Sequence, residues 1–141
     1  MIAIRPMRIG DYSQAIKLWK TTEGMGTNDR DDSRKSIKNF LRMNPKTCFV
    51  AEYDGKEIIG TILGGYDGRR GLIYHLMVKP EHRKKGIAKK LLQKTEKGFK
   101  AQGARRAYIV AFRDNEAGNK FWENSGYETR DFLSFRSGRL D

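Results

Sequence analysis

Residues 72–101, LIYHLMVKPEHRKKGIAKKLLQKTEKGFKA, carry three local signals in succession. Leu72, Ile73, Tyr74, Leu76, Met77 and Val78 make a near-continuous apolar run, the pattern of a strand covered on both faces. Pro80 cannot donate a ladder hydrogen bond and closes it. Beyond Gly86, the residues Ile87, Leu91, Leu92, Thr95 and Phe99 recur at helical spacing, with lysines mainly on the other faces. A strand that enters a helix through a glycine-containing turn offers an anion site. The helix start has unpaired N–H groups and the positive end of the macrodipole, Arg83, Lys84 and Lys85 add cations, and Gly86 lets backbone approach a ligand. On this physics a pyrophosphate cradle and a solvated basic turn both remain open.

The charge balance gives the stretch weight. Of the chain's net +12, residues 79–106 supply +9, with 11 Lys/Arg against 2 Asp/Glu. So focused a field suits a polyanion, either nucleic acid or a phosphate-rich cofactor. The 141 residues, 38% hydrophobic and 33% charged, predict one domain over 1–141 with a core of its own. No apolar run approaches the roughly 20 residues of a membrane span, and MIAIRPMRIGDY lacks the core of a secretory signal. A single cysteine, Cys48, excludes an internal disulfide and fits a reducing, cytoplasmic setting. Its context, TCFVA, reads as a buried strand thiol. Two histidines and one cysteine make no metal cluster, so no metal is expected.

Outward from the central stretch, Ile2–Arg5 reads as a first strand, and Asp11 can cap a helix that buries Ala15, Ile16, Leu18 and Trp19. The polar stretch after Lys20 is a loop. A second helix starts near Asp32 or Ser33 and stops at Met43, before Pro45. Thr47–Tyr53 and Glu57–Tyr66 flank the hairpin signal Asp54-Gly55. Asp67-Gly68 turns into the central strand. After Gly103, residues 106–112 predict a strand parallel to it. Asn115–Asn124 is a short helix, and Thr129–Arg136 is expected to add a last strand or hairpin.

LMVKPEHRKKGIAKKLL, through Leu76, Val78, Pro80, Arg83, Gly86 and Ala88, resembles the acetyl-CoA-binding segment of the GNAT N-acetyltransferases. Asn115, Gly118, Phe121, Trp122, Gly126 and Tyr127 match their second motif in the right order. GGYDGRRG, PEHRKKGIA and GYETRDFLS look most like the YpeA-type branch. The resemblance covers essentially the whole chain. It implies an α/β (α+β) GNAT fold: a mixed, mostly antiparallel sheet of six to seven strands, a central splayed parallel pair, and about four flanking helices. It also implies acetyl-CoA as cosubstrate. Leu76, Met77 and Val78 would bond the pantetheine arm as an added strand would. Arg83, Lys84, Lys85, Gly86, Ile87 and Ala88 would wrap the pyrophosphate, and Asn115 would hold the arm from the next helix.

The catalytic groups depart from the family's pattern. Where the family commonly has a tyrosine after the phenylalanine of the second motif, this chain has Trp122. Its indole N–H donates a hydrogen bond but releases no proton, so it reads as a wall of the acyl pocket. Tyr127 reads as core. Positions that often hold a glutamate base carry Leu72 and Val110. Tyr74 and His75 are the titratable groups of the central strand, on opposite faces unless a bulge intervenes; histidine has the suitable pKa, and Tyr74 keeps the parity of Leu72. Glu23, Asp29, Asp31 and Asp32 lie where the family borders its acceptor site and would attract a cationic amine, or simply form a solvated loop. Asp67 reads as a turn former.

The leading expectation is therefore an acetyl-CoA-dependent N-acetyltransferase acting by direct transfer on a primary amine of a small molecule or protein. A CoA-binding sensor without catalysis is the alternative that Trp122 keeps open. A nucleic-acid module is disfavoured because aromatics do not interleave with the basic cluster. No membrane partner is expected. Phe132, Leu133 and Phe135 fit either a homodimer interface or the core.

Overall fold

The structure, a computed structural model, describes residues 1–22 and 25–141. Four strands follow one another antiparallel in chain order: β1 (Ile2–Pro6), β2 (Cys48–Tyr53), β3 (Glu57–Tyr66) and β4 (Gly71–Val78). The fifth, β5 (Ala107–Ile109), lies parallel to β4, so the sheet order is the sequence order. Asp54 and Gly55 both take positive φ, 52° and 68°, the backbone that a tight hairpin with the right twist needs.

Among the described residues, four α-helices cover the two faces: α1 (Tyr12–Thr21), α2 (Arg34–Met43), α3 (Ile87–Ala101) and α4 (Glu116–Asn124). Leu18 and Trp19 of α1 and Ile37 of α2 pack on Val50, Ile58, Leu63 and Met77. On the other face Leu91, Leu92 and Phe99 of α3 and Trp122 of α4 share a core with Ile59, Ile62, Ile73 and Val78. Cys48 is buried, and burial pushes its thiol up to about 12.

Ser33 caps α2 by accepting from Ser36 N at 3.1 Å. Asp11, expected to cap α1, stands at that position but makes no side-chain cap bond. Its carboxylate instead takes both ends of the Arg5 guanidinium, at 2.8 and 2.9 Å, and Arg8 N at 2.9 Å. Burial would raise its pKa; the Arg5 and Arg8 bonds outweigh that and hold it low. Arg5 also reaches Glu52 at 2.9 Å and so ties β1 to β2.

Six to seven strands were expected, and the described residues form five. β5 ends at Ile109, leaving Val110 and Phe112 exposed, where a strand to residue 112 was expected. The apolar pattern of Thr129–Arg136 is broken by a turn in which Leu133 N donates to Arg130 O at 3.0 Å, while the Arg130 guanidinium sits over the Phe132 ring. That local bonding consumes the extended run, and Phe132, Leu133 and Phe135 stay 75%, 59% and 77% exposed.

Glycines let α3 press onto the sheet. A Cβ at Gly71 would lie 2.4 Å from the Phe99 ring, and one at Gly98, within α3, would lie 2.3 Å from Lys46 O. Alanine at 98 would gain about 1 kcal/mol of helix propensity but force a backbone shift that costs about 3 kcal/mol. Gly98→Ala should therefore lower the melting temperature by about 6 °C for a chain of this size. Gly10→Ala, which meets nothing within 4 Å, serves as the control, and an unchanged or raised value for Gly98→Ala would refute the close seat.

Candidate active site

The β4–β5 pairing stops after Ile73 and Ile109, although β4 runs on to Val78 against β3. Lys79 N donates to Ile59 O at 2.7 Å, so by strand alternation the backbone groups of Leu76 and Val78 face away from β3, into the gap. Met77 turns its backbone toward β3 and its side chain into the core under α1. The Arg83 guanidinium folds back to donate to Val78 O at 2.9 Å and holds the turn against the strand end.

The turn itself is wound to present amides. Lys84 and Gly86 both adopt the left-handed backbone, at φ 63° and 79°, and Gly86 starts α3 without a side-chain cap. Among the described residues, the N–H groups of Lys84, Lys85, Gly86, Ile87, Ala88 and Lys89 meet no protein acceptor. A Cβ at Gly86 would project into open space. Unpaired amides at a helix start, left-handed backbone at Lys84 and Gly86 and exposed Lys84 and Lys85 are features that favour an anion. Ile87 is buried beneath them, as an anchor for the helix start.

His75 carries a positive φ of 49° and marks a bulge: between the pairs Thr61–Met77 and Leu63–Tyr74, β4 holds one residue more than β3. The extra residue brings Tyr74 and His75 onto the same face. Tyr74 meets Phe40 of α2 edge-on at 5.8 Å, and His75 stacks on Trp19 of α1 at 4.4 Å. His75 is enclosed. Its Nε2 lies 2.7 Å from Asp32 Oδ1 and its Nδ1 3.0 Å from Met25 Sδ. Its carbonyl accepts from Thr61 Oγ1 at 2.7 Å, and Thr61 in turn accepts from Trp19 Nε1 at 2.9 Å. Asp32, only 8% exposed, takes Asn28 N on its other oxygen at 2.8 Å.

Of the acidic loop, then, Asp32 is committed to His75, whereas Asp29 and Asp31 are exposed. Glu23 lies outside the described residues. Tyr74 borders a cavity of about 280 Å³ with Phe40, Tyr66, Leu72, Tyr108 and Arg70. Burial, then the charge of Asp31, raises the Tyr74 pKa, so its phenol stays protonated. Asp67 at the rim binds Arg69 N and Arg70 N through Oδ1, at 2.7 and 2.8 Å; these bonds lower its pKa and fix the turn.

On α4, Asn115 Oδ1 caps the helix by accepting from Gly118 N at 3.1 Å. Its Nδ2 has no acceptor among the described residues. Trp122 is 8% exposed and packs edge-on against Phe121 and Tyr127. Tyr127 donates to Glu96 of α3 at 2.9 Å, and burial together with that carboxylate raises its pKa.

Sequence reasoning did not single out Trp19, Thr61 and Met25 around His75, nor Phe40, Tyr66 and Tyr108 around Tyr74. Tyr108 alone had a readable signal: it shares the strand parity of Val110 and is the register partner of Leu72.

Comparison with known proteins matches residues 13–127 to the model of the acetyltransferase (GNAT) family. The chain is 34% identical over 137 residues to Acetyltransferase SG1711 of Sodalis glossinidius, covering 97% of this chain and 94% of that one. Among solved structures, a GNAT-family acetyltransferase from Staphylococcus aureus Mu50 superposes with a TM-score of 0.82 at 19% identity, over 100% of this chain and 94% of that one. The PaiA N-acetyltransferase of Thermoplasma acidophilum, solved in complex with coenzyme A, superposes at 0.76 and 22% identity, over 89% and 88% of the two chains.

Asp32→Ala should cost about 2–3 kcal/mol, because it strands a buried imidazole N–H and the Asn28 amide. The loss should shrink in a His75→Ala background. Strictly additive losses in a denaturant-unfolding cycle would mean that the two side chains do not support each other.

Proposed function

The chain belongs to the acetyltransferase (GNAT) family, and on that premise we propose that it moves an acetyl group from acetyl-CoA to the primary amine of a small molecule or protein by direct transfer. The observation that carries the reading is the row of unpaired amides from Lys84 to Lys89 beside the open edge of β4 at Leu76 and the Val78 N–H, the Val78 carbonyl being held by Arg83. These groups fit a pyrophosphate followed by an amide-bearing arm, with Asn115 Nδ2 as a further donor. Acetyl-CoA supplies an acyl carbon activated as a thioester. The amine nitrogen bonds to that carbon as the C–S bond breaks, and the proton that the amine sheds balances the thiolate.

The acceptor amine enters by the cavity beside Tyr74 on the α2 face. Tyr74, protonated and partly open to that cavity, orients the water that takes the amine's proton. His75 and Asp32 position the bulge rather than move the proton, because both imidazole nitrogens are enclosed. Trp122 walls the acyl side from α4. The YpeA-type branch belongs to the same proposal, and a phylogenetic tree that groups the chain elsewhere would remove it. So does a cytoplasmic location, supported by the buried, unpaired Cys48 and open to cell fractionation.

At a hundredfold excess over its Kd, acetyl-CoA should stabilise the protein by about 2.7 kcal/mol. Gly86→Val, strained at positive φ and aimed into the cradle, should lose that shift. Tyr74→Phe should keep it while kcat falls about a hundredfold. No shift from acetyl-CoA would end the reading. Binding without thiol release from any amine would leave a CoA sensor instead. We also propose a homodimer that covers Phe132 and Phe135. Sedimentation should show a dimer that Phe132→Asp/Phe135→Asp dissociates, and a monomeric native protein would exclude it.

A further inference from the structure

Behind the Tyr74 cavity lies a second cleft, of about 390 Å³, lined by Arg69, Arg70, Arg105, Arg106 and Gly103. Among the described residues, no carboxylate lines it. The main chain holds the two arginine pairs in place: Asp67 N donates to Arg70 O at 3.2 Å and Gly71 N to Arg106 O at 3.0 Å. Among the described residues, none of the four guanidiniums makes an ion pair. The nearest carboxylate in sequence, Asp67, spends one oxygen on the amides of Arg69 and Arg70 and faces the other cavity. Arg70 connects the two spaces: it lines both, and its guanidinium lies 5.3 Å from the centre of the Tyr108 ring, which borders the first.

The four arginines are exposed, and together they raise the local positive potential, which an anion entering the cleft would neutralise. Planar, fork-shaped donors suit an oxyanion with two or three oxygens, a carboxylate or a phosphate. The cleft is at the C-terminal end of α3, the end opposite the cradle at Gly86, so the pyrophosphate site does not extend into it. It opens instead beside the cavity assigned to the acceptor.

We propose that the acceptor is an amine whose other end carries a carboxylate or phosphate, with the amine beside Tyr74 and the anion held by Arg70, Arg106 and their neighbours. This rests on the acetyltransferase reading above and names its substrate class. Of the acids, Asp32 is occupied by His75, while Asp31 and Asp67 stand near the Tyr74 cavity and suit the cationic amine end; the arginine cleft suits the opposite, anionic end.

The test uses the full chain saturated with CoA, so that the cradle is filled. Three matched pairs are titrated by calorimetry: O-phosphoethanolamine against ethanolamine, glutamate against its diamide, and an acidic tetrapeptide against its fully amidated form. At least one anionic member should bind at least about tenfold tighter than its neutral twin, and Arg70→Gln/Arg106→Gln should erase the difference while leaving acetyl-CoA affinity unchanged. Preference for the peptide or for the free metabolites then tells the source of the anion. No discrimination in any pair, or discrimination that survives the double substitution, overturns the proposal. A single-stranded RNA 20-mer bound more tightly than all six and released by the same substitutions would overturn it too and reassign the cleft to nucleic acid. The acetyltransferase reading fails separately: it falls if acetyl-CoA gives no thermal shift, and it survives if neutral amines release thiol as fast as anionic ones.

Discussion

The centre of the sheet depends on one residue held in a left-handed backbone, His75. A non-glycine side chain there costs about 1–2 kcal/mol, and four groups from distant parts of the chain offset it. Trp19 supplies a stacking face, Thr61 a bond to the carbonyl, and Asp32 and Met25 enclose the ring. Without the bulge, Tyr74 and His75 would point to opposite faces, and only one would meet the α1–α2 side. A bulge also bends its strand and raises the local twist, and the ladder to β5 ends two residues earlier, at Ile73. The open edge at Leu76 and Val78 and the cavity at Tyr74 thus lie on either side of one distortion.

Two clusters of the chain's positive charge, at the two ends of the lysine-bearing α3, have different surroundings. Lys84 and Lys85 stand beside amides at a helix start, where oriented dipoles add to the charges. The four arginines of the other cleft are set by turns and strand ends, with no helix start among them. Net charge alone would treat the two as one basic surface; the fold separates them by the length of α3, about 22 Å for its 15 residues.

The β2–β3 hairpin, the glycine turn and the lysine helix were legible because each is written in a few adjacent residues. Gly86, the apolar run of β4 and the 3.6-residue spacing of α3 need no distant partner to be read. The His75–Asp32 pair spans 43 residues and depends on a bulge whose register is set by β3, so neither residue's sequence context announces it. The last strand failed for a related reason. TRDFLSFR alternates well enough, but a strand exists only by pairing, and Arg130 and Leu133 pair with each other instead. Glycine at 98 was readable only as a weak helix position; its fit against Lys46 O is tertiary.

The Asp67–Arg70 turn has a consequence for how the protein can change. Its shape is fixed by one carboxylate oxygen on two main-chain amides and by Gly68 at φ 94°, so the side chains at 69 and 70 play no part in holding it. Those two positions can accept almost any residue while the loop keeps its course, and the cradle lies a helix-length away. Such a loop works as an interchangeable tip on a fixed handle. If the arginine cleft holds the acceptor as proposed, relatives sharing Asp67 and Gly68 would diverge in what they acetylate by drift at two exposed residues, with the turn itself left intact.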